Sequence, residues 1–321
     1  MTSSLLLSMT ALGFLFVVLG IGADVVVKNI KIIADKLGIS VFILGIVLGL
    51  LTSLPEIAIG INSLINNVAG LAVGNLLGGI VVLFGLILGA SIVLNRTVGT
   101  DDHASDLIVT FLYLLLPVIL GANGVFGQGE GLLLVVLYLA VVWHLYRSHR
   151  RRAVVQVTAV RQDTVSQELL WVIFGIVAVA LSSNLIIRLT SGILQVIHVS
   201  PFLIGVLVFS LGTNLPELIV TITSWRRRLL DLSLSNLLGS AMANILALGL
   251  LSMIRPIALP ATLVYWTLGG FMLLTLFLVV VFYHTGREFS RAEGIALLLM
   301  YFFFLLINIF VVEGGGCLAG C

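Results

Sequence analysis

Ten apolar segments make up most of the chain, and their length limits the fold more than any other feature of the sequence. An α-helix needs about 20 apolar residues to cross the hydrocarbon core of a bilayer. Lipid offers the backbone no hydrogen-bond partner, so such segments must be helical. The segments span residues 5–27, 39–66, 68–94, 106–122, 130–147, 168–190, 200–224, 232–254, 262–283 and 293–312. The sequence therefore predicts an all-α polytopic membrane protein with ten transmembrane helices.

Composition supports the bilayer as the environment of this chain. Hydrophobic residues make up 60% of it and charged residues 9%, whereas a soluble domain has about 25% charged residues. The first apolar segment begins at Leu5 with no basic residue before it, so we interpret it as a spanning helix and not as a cleavable signal peptide. The expected partners are the lipid bilayer and small inorganic ions; neither nucleic acid nor an obligate protein partner is predicted.

Lysine and arginine are distributed very unevenly between alternate loops. With the N-terminus placed outside the cell, fourteen of them lie on the inner side and two, Arg188 and Arg255, on the outer side. Because cytoplasmic loops carry the excess of Lys and Arg, this predicts a multi-pass inner-membrane protein with both termini outside the cytoplasm. The basic linker 148–167 is then cytoplasmic. Its arginines could instead form a patch for anionic lipids.

An internal repeat becomes visible when the sequence is shifted by 161 residues. The stretch 52–56 then falls on 213–217, with threonine, leucine, proline and glutamate matched, and the Asn-Leu-Leu-Gly stretch 75–78 falls on 236–239. Five helices on each side of the midpoint make the second copy enter the membrane the other way up. This predicts two inverted-topology five-helix repeats, an arrangement typical of secondary transporters, which hold their ion site where the two halves meet.

The predicted domains follow from this repeat. The first five-helix repeat covers 1–147, with its motif region at about 39–94. After the linker 148–167, the second repeat covers 168–321, with its motif region at about 200–254 and a Gly-rich C-terminal tail. Cys317 and Cys321 lie in that tail, and no function is predicted for them.

Each repeated motif places a proline and a glutamate deep in an apolar segment. Proline lacks an N–H and interrupts the helix, and an acidic residue at membrane depth indicates a functional site. The other acids lie in or near connections, apart from Asp24, which we expect to form an i,i+4 ion pair with Lys28. No His-Glu-x-x-His motif is present and the histidines lie at segment ends, so an enzyme is not predicted.

Oxygen donors surround the two glutamates in the sequence. Hydroxyls and an amide lie within one turn of each glutamate, a proline break is expected to free backbone carbonyls one turn earlier, and two polar residues share a face of the eighth segment. The predicted cation ligands are Glu56, Glu217, Thr52, Ser53, Thr213, Asn214, Ser240 and Asn244, with the carbonyls of Gly49 and Ser210. Such donors suit hard cations, Ca²⁺ or Na⁺, with Mg²⁺ and Mn²⁺ as alternatives; Mg²⁺ dehydrates reluctantly, which favours Ca²⁺.

Charge suggests how such a site works. Two ionised glutamates carry a charge of −2, which one Ca²⁺, two Na⁺ or two H⁺ would neutralise. Buried charges without compensation are costly, so only loaded states should cross between inward-open and outward-open forms. The sequence therefore predicts obligatory exchange and no resident cofactor, because the bound ions are the transported ones.

These residues resemble a known family. The stretches 52–56, 74–78, 212–217 and 236–240 are similar to the two alpha repeats of the sodium/calcium exchanger (cation/Ca²⁺ antiporter) superfamily, and the short linker is similar to that of its prokaryotic members. The resemblance implies Ca²⁺ export driven by inward Na⁺, with ions held by the two glutamates, the adjoining hydroxyls and the carbonyls. It also implies that the first and sixth helices slide against a fixed core.

The chain departs from that family pattern mainly in its first half. Ser240 and Asn244 match the family's ligands, but Gly79 and Leu83 stand at the equivalent places in the first repeat, and Asn214 replaces a family serine. We therefore expect fewer coupled Na⁺ ions than is usual in the family, or H⁺ as the counter-ion. A degenerate ion-binding protein that does not transport is the other alternative.

Overall fold

The fold is almost entirely helical. The computed structural model describes residues 2–36, 49–95, 98–99, 104–150, 166–194, 200–215, 217–218, 221, 230–259, 262–285 and 288–318. Its α-helices are α1 Thr2–Lys36, α2 Leu54–Ile65, α3 Ala69–Val81, α4 Leu88–Asn95, α5 Ala104–Leu120, α6 Gln128–Arg150, α7 Ser166–Leu194, α8 Pro201–Ile204, α9 Ser210–Thr213, α10 Leu230–Ile254, α11 Thr262–Thr285 and α12 Arg291–Leu318. π-Helical turns at Val82–Ile87 and Gly205–Phe209 join α3 to α4 and α8 to α9.

The number of apolar helices agrees with the ten predicted segments. In the described ranges, seven helical spans are long and apolar enough to cross a bilayer, and three shorter apolar helices lie at Leu54–Ile65, Leu107–Asn123 and Pro201–Thr213. The prediction of an all-α polytopic membrane protein is therefore confirmed. Most of the linker, residues 151–165, and the first ten residues of the second segment, 39–48, lie outside the described residues.

Two short antiparallel ribbons connect the halves. Strand β1 (Val98–Gly99) pairs with β4 (Glu288–Phe289), and β2 (Val125–Phe126) pairs with β3 (Ile257–Ala258). Three predicted spans precede β1 and nine precede β4, whereas four precede β2 and eight precede β3. Paired strands must lie on the same side of the membrane, and these counts satisfy that condition for both ribbons. The ribbons thus support the alternation on which the ten-span inverted repeat rests.

The first helix of each half packs against the other. A Cβ added to Gly22 of α1 would lie 3.2 Å from the carbonyl oxygen of Gly175 in α7, so the two backbones cross closely. Lys36 at the end of α1 forms an ion pair of 3.0 Å with Glu168 at the start of α7. On the same helix, the predicted ion pair between Asp24 and Lys28 is confirmed, at 2.6 Å.

The buried apolar residues form two clusters, and α1 and α7 contribute to the smaller one. Most members of the larger cluster belong to α3 to α6 and α10 to α12, and Leu64 of α2 and Phe202 of α8 also contribute to it. The smaller one joins α1 and α7 to the two motif-bearing segments and to α3, and its buried members are Phe16, Leu19, Ile59, Leu71, Val179, Ile186, Ile187 and Phe209. The rings of Phe16 and Phe209 meet edge to face, with centroids 5.4 Å apart. The helix pair therefore touches the second motif through a small apolar contact.

Candidate cation-binding site

Both repeated motifs interrupt their helices at the same place. Ser53 precedes α2 with φ −82° and ψ 7°, and Asn214 follows α9 with φ −82° and ψ 11°. These angles lie in the sparsely populated region between helix and strand. The break arises locally, because Pro55 cannot donate to the preceding turn. The predicted helix interruption is confirmed in both halves, and a fully buried glutamate, Glu56 or Glu217, follows each break.

The two motif glutamates are completely buried, and their like charges interact. Glu56 and Glu217 each have 0% of their surface exposed, and they lie close enough to interact as like charges. Within the described residues, neither oxygen of Glu56 and only one oxygen of Glu217 has a hydrogen-bond partner. Unpaired buried carboxylates are too costly to remain charged without a compensating cation or proton. The two glutamates therefore require a bound cation or a proton to compensate their charge.

The partner of Glu217 comes from the eighth segment. Ser240 on α10 lies 3.1 Å from Glu217 Oε1 and 2.8 Å from the hydroxyl of Thr52, and the Ser53 hydroxyl lies 3.4 Å from the Ser240 carbonyl oxygen. One serine therefore joins the carboxylate of the second motif to the hydroxyls of the first. This contact places four predicted ligands in a single cluster.

The carbonyl of Gly49 is an acceptor shared by several groups. It lies 3.3 Å from the backbone nitrogen of Ser53, 3.2 Å from the Thr52 hydroxyl, 3.0 Å from the Ser53 hydroxyl and 3.4 Å from the Ser240 hydroxyl. The prediction that the proline break would leave this carbonyl free is therefore wrong. Gly49 is needed here for another reason as well, since a Cβ would lie 2.6 Å from the backbone of Gly239.

In the second half the equivalent carbonyl is also engaged. The side-chain amide of Asn214 donates to the Ser210 carbonyl at 2.7 Å, so this carbonyl is not free either. The Thr213 hydroxyl lies 3.0 Å from the carbonyl oxygen of Phe209 and 3.1 Å from Asn75 Oδ1. Each motif therefore uses one of its own side chains to donate to the carbonyl four residues earlier, Ser53 to Gly49 and Asn214 to Ser210.

The first half of the site has no counterpart to Ser240. Gly79 stands at that position, and a Cβ added to it would lie 2.8 Å from Asn244 Nδ2 and 3.1 Å from Asn214 Nδ2. The space that a first-repeat side chain would occupy therefore contains two amide groups from the second repeat. Leu83, at the position equivalent to Asn244, is fully buried in the apolar core and lies in the π-helical turn that follows α3.

Two buried asparagines belong to this neighbourhood and were not predicted as site residues. Asn75 accepts the hydrogen bond from Thr213, while Asn236 is buried with neither side-chain atom paired among the described residues. They match one another under the 161-residue shift and lie one turn before Gly79 and Ser240. A buried amide repeated at corresponding depth was the signal that could have identified them.

The donor chemistry of the site is that of a hard-cation site. The side chains involved are carboxylates, hydroxyls and amides, and no group of three or more His, Cys, Asp or Glu residues occurs in the part of the chain that the structure describes. Oxygen donors without sulfur or imidazole suit Ca²⁺ and Na⁺. All ten predicted ligand residues lie in the described ranges. Hydrogen bonds join five of them, and two more lie beside Gly79: the first group is Gly49, Thr52, Ser53, Ser240 and Glu217, and the second is Asn214 and Asn244.

Comparison with protein families agrees with this geometry. The family model described as "Sodium/calcium exchanger protein" matches residues 7–147 and 168–310, which is most of the chain. The chain belongs to the sodium/calcium exchanger family. It is therefore a cation antiporter that spans the membrane several times. The two matched ranges contain every predicted ligand.

Individual relatives of this exchanger are distant but extend over most of its length. The sodium/calcium exchanger MaX1 of Methanosarcina acetivorans is 24% identical over 351 aligned positions, covering 94% of this chain and 100% of MaX1. The inner membrane protein YrbG of Escherichia coli is 28% identical, covering 73% and 76% of the two chains. A solved structure of the sodium-calcium exchanger NCX_Mj shares the fold, with a TM-score of 0.67, 23% identity, and coverage of 94% and 98%.

Proposed function

We propose that this exchanger binds Ca²⁺ between Glu56 and Glu217 and exchanges it for Na⁺ across the cell membrane by alternating access. The observation that carries the proposal is the pair of fully buried carboxylates, one from each repeat, with three of their four oxygens unpaired among the described residues. A cation that binds between them neutralises both and gains ligands from both halves at once. MaX1 is named a sodium/calcium exchanger, which supports this choice of ions.

The neutral ligands complete the site in this proposal. Thr52, Ser53 and Ser240 supply hydroxyl oxygens beside Glu217, and Thr213 supplies one beside Glu56. Asn214 and Asn244 supply amide oxygens that have no hydrogen-bond partner in the described residues. The carbonyls of Gly49 and Ser210 support the site through the hydroxyl and amide groups that donate to them, and direct coordination by either would require those donors to turn away.

Exchange follows from the charge of the empty site. A site that carries two buried negative charges without a cation is strongly destabilised in the closed intermediate through which alternating access must pass. Bound Ca²⁺ or bound Na⁺ removes that penalty. The protein therefore changes between its inward-open and outward-open forms only with an ion bound, and this requirement couples the two ion fluxes.

We place both termini outside the cytoplasm, in the cytoplasmic membrane. Fourteen of the sixteen Lys and Arg residues then lie on the inner side, as expected for cytoplasmic loops. The pairing of β1 with β4 and of β2 with β3 is compatible with this placement, which assigns the first pair to the inner side and the second pair to the outer side. YrbG is named an inner membrane protein, which supports the same membrane.

The test is ion flux in proteoliposomes that contain the purified protein. Na⁺ and pH gradients are imposed separately, and uptake of ⁴⁵Ca²⁺ is followed. We expect uptake with the Na⁺ gradient and none with the pH gradient alone. Uptake driven by pH in the absence of Na⁺ would instead identify H⁺ as the counter-ion, and Ca²⁺ binding without any flux would contradict transport.

Substitutions then test the site. Glu56→Gln and Glu217→Gln each remove one of the two charges with little change in volume, and we expect each to abolish Na⁺-driven Ca²⁺ uptake. Glu130→Gln is the matched control, because Glu130 only caps α6 by accepting from the backbone nitrogen of Gly127 at 3.1 Å, which an amide oxygen can also do. Full transport by both site variants would overturn the assignment.

A further inference from the structure

We infer that this exchanger is electroneutral and moves two Na⁺ against one Ca²⁺. In the first repeat, two amide groups fill the space beside Gly79, where a further ion ligand would otherwise lie. The inference rests on the proposed function and concerns the number of ions, which neither the family match nor the names of the relatives specify. Three properties of the described residues carry it: the charge at the site, the occupant of the space at Gly79, and the orientation of the asparagine side chains.

The charge available for cations is −2. Glu56 and Glu217 are the acidic residues with fully buried side chains in the described ranges, and the other buried polar side chains there are neutral. The remaining acidic residues of the sequence lie in or near connections, or pair with a base as Asp24 does with Lys28. One Ca²⁺ or two Na⁺ neutralise the site completely, whereas a third Na⁺ would leave a buried positive charge without a partner, which is costly.

The space for a further ligand is also occupied. Ser240 provides a hydroxyl in the second half, but at Gly79 the nearest groups to an added Cβ are Asn244 Nδ2 at 2.8 Å and Asn214 Nδ2 at 3.1 Å. The equivalent of Asn244 in the first half is Leu83, which is fully buried and apolar. The two first-repeat positions that match Ser240 and Asn244 therefore offer a cation neither a side-chain oxygen nor an open volume.

Hydrogen bonds fix which end of each amide faces this space. Asn214 Nδ2 donates to the Ser210 carbonyl at 2.7 Å, and Asn244 Nδ2 donates to the Leu76 carbonyl at 3.3 Å. An amide NH₂ group is a donor with no lone pair for a metal ion. It carries partial positive charge, so two such groups repel a cation at Gly79. Their oxygens point elsewhere and remain unpaired.

Five of the buried oxygens that lack a partner among the described residues belong to the proposed ligands, and we place them around one central site. Two belong to Glu56 and one each to Glu217, Asn214 and Asn244. These oxygens and nearby hydroxyls approach the six to eight ligands that Ca²⁺ takes. Two Na⁺ ions can share the same oxygens when Ca²⁺ is absent. Each complete exchange therefore transfers no net charge.

The experiment measures Ca²⁺ accumulation at equilibrium in proteoliposomes, with pH equal and strongly buffered on both sides. Valinomycin and chosen K⁺ gradients set the membrane potential. For a tenfold Na⁺ gradient we expect about a hundredfold Ca²⁺ accumulation, whereas three Na⁺ per Ca²⁺ would give about a thousandfold at zero potential. We also expect no change with potential, although one net charge per cycle would change the accumulation about 50-fold for each 100 mV.

The outcomes separate the two proposals. A hundredfold accumulation at every potential supports electroneutral exchange. An accumulation that changes with potential overturns it and leaves Ca²⁺/Na⁺ exchange in place. Absence of any Na⁺-driven accumulation above that of the Glu217→Gln protein overturns the proposed function itself.

Discussion

Ser240 lies within hydrogen-bond distance of Glu217, with 3.1 Å between the hydroxyl and Oε1, while Gly79 at the matching position gives Glu56 no donor. The two glutamates are equivalent in the repeat but have different surroundings. Both oxygens of Glu56 lack a hydrogen-bond partner among the described residues, whereas one oxygen of Glu217 has a partner, so the bound ion contributes more to balancing the charge of Glu56. Glu217 is positioned by the protein as well as by the ion.

Replacing Ser240 by alanine tests this difference. The substitution removes a hydrogen bond to Glu217 and the contact with Thr52. A hydrogen bond to a charged group contributes about 1.5–3 kcal/mol, so we expect the apparent Ca²⁺ affinity to fall about tenfold or more, with the protein still folded. The measurement is the Ca²⁺ concentration dependence of Na⁺-driven uptake.

The matched control for that measurement is Ser252→Ala. Ser252 lies on the same helix, α10, and its hydroxyl donates to the carbonyl of Leu248 one turn earlier. This substitution should leave the affinity unchanged. Equal affinities for the Ser240 variant and the unaltered protein would show that Ser240 does not position Glu217.

Replacing Gly79 by alanine tests whether the amide groups of Asn214 and Asn244 fill the space beside it. The added methyl would lie 2.8 Å from Asn244 Nδ2, so the amide must move away from the Leu76 carbonyl to which it donates. Side-chain ends move easily, so we expect little loss of stability and a several-fold weaker apparent Ca²⁺ affinity. Gly129→Ala is the control, because an added Cβ there meets nothing within 4 Å. A Gly79→Ala protein with a clearly lower melting temperature but an unchanged apparent Ca²⁺ affinity would contradict this account.

The helix breaks could be predicted from the sequence because their cause is local. A proline at 55 and at 216 in long apolar segments predicts an interruption, and Ser53 and Asn214 have nearly the same backbone angles. The number of spans was predictable for a similar reason, since bilayer thickness sets segment length. The end of α1 was less predictable: its apolar segment ends near residue 27, but the helix continues to Lys36. Hydropathy reports where lipid ends, not where a helix does.

The details of the site depended on packing between residues far apart in sequence. Gly49 was expected to present a free carbonyl, but the hydroxyl of Ser240, 191 residues away, is among its partners. Likewise, Gly79 was recognised as a lost ligand, but sequence alone could not show that Asn214 and Asn244 fill its space. Residue type identified the members of the site, and only the helix contacts determined which atoms remain available to an ion.

The ion pair between Lys36 and Glu168 predicts that α1 and α7 are held together at one end. Its side chains are 22% and 16% exposed, and the charged atoms lie 3.0 Å apart. We expect Lys36→Glu to lower the melting temperature, because it places two like charges together. The double variant Lys36→Glu with Glu168→Lys should recover most of that loss. Thermal unfolding of the detergent-solubilised protein measures both, and additive losses in the double variant would contradict the pairing.

The proposed orientation predicts which side of the membrane each ribbon faces. Val125 in β2 is 39% exposed and lies on the proposed outer side, while His284 near the end of α11 is exposed on the proposed inner side. Single cysteines at these positions, with Cys317 and Cys321 replaced by serine, are treated in intact cells with a thiol reagent that cannot cross membranes. We expect Val125→Cys to be labelled in intact cells and His284→Cys only after the cells are opened. The positive-inside distribution requires this result, and the reverse pattern would invert the topology and with it the assignment of the fourteen basic residues to the cytoplasm.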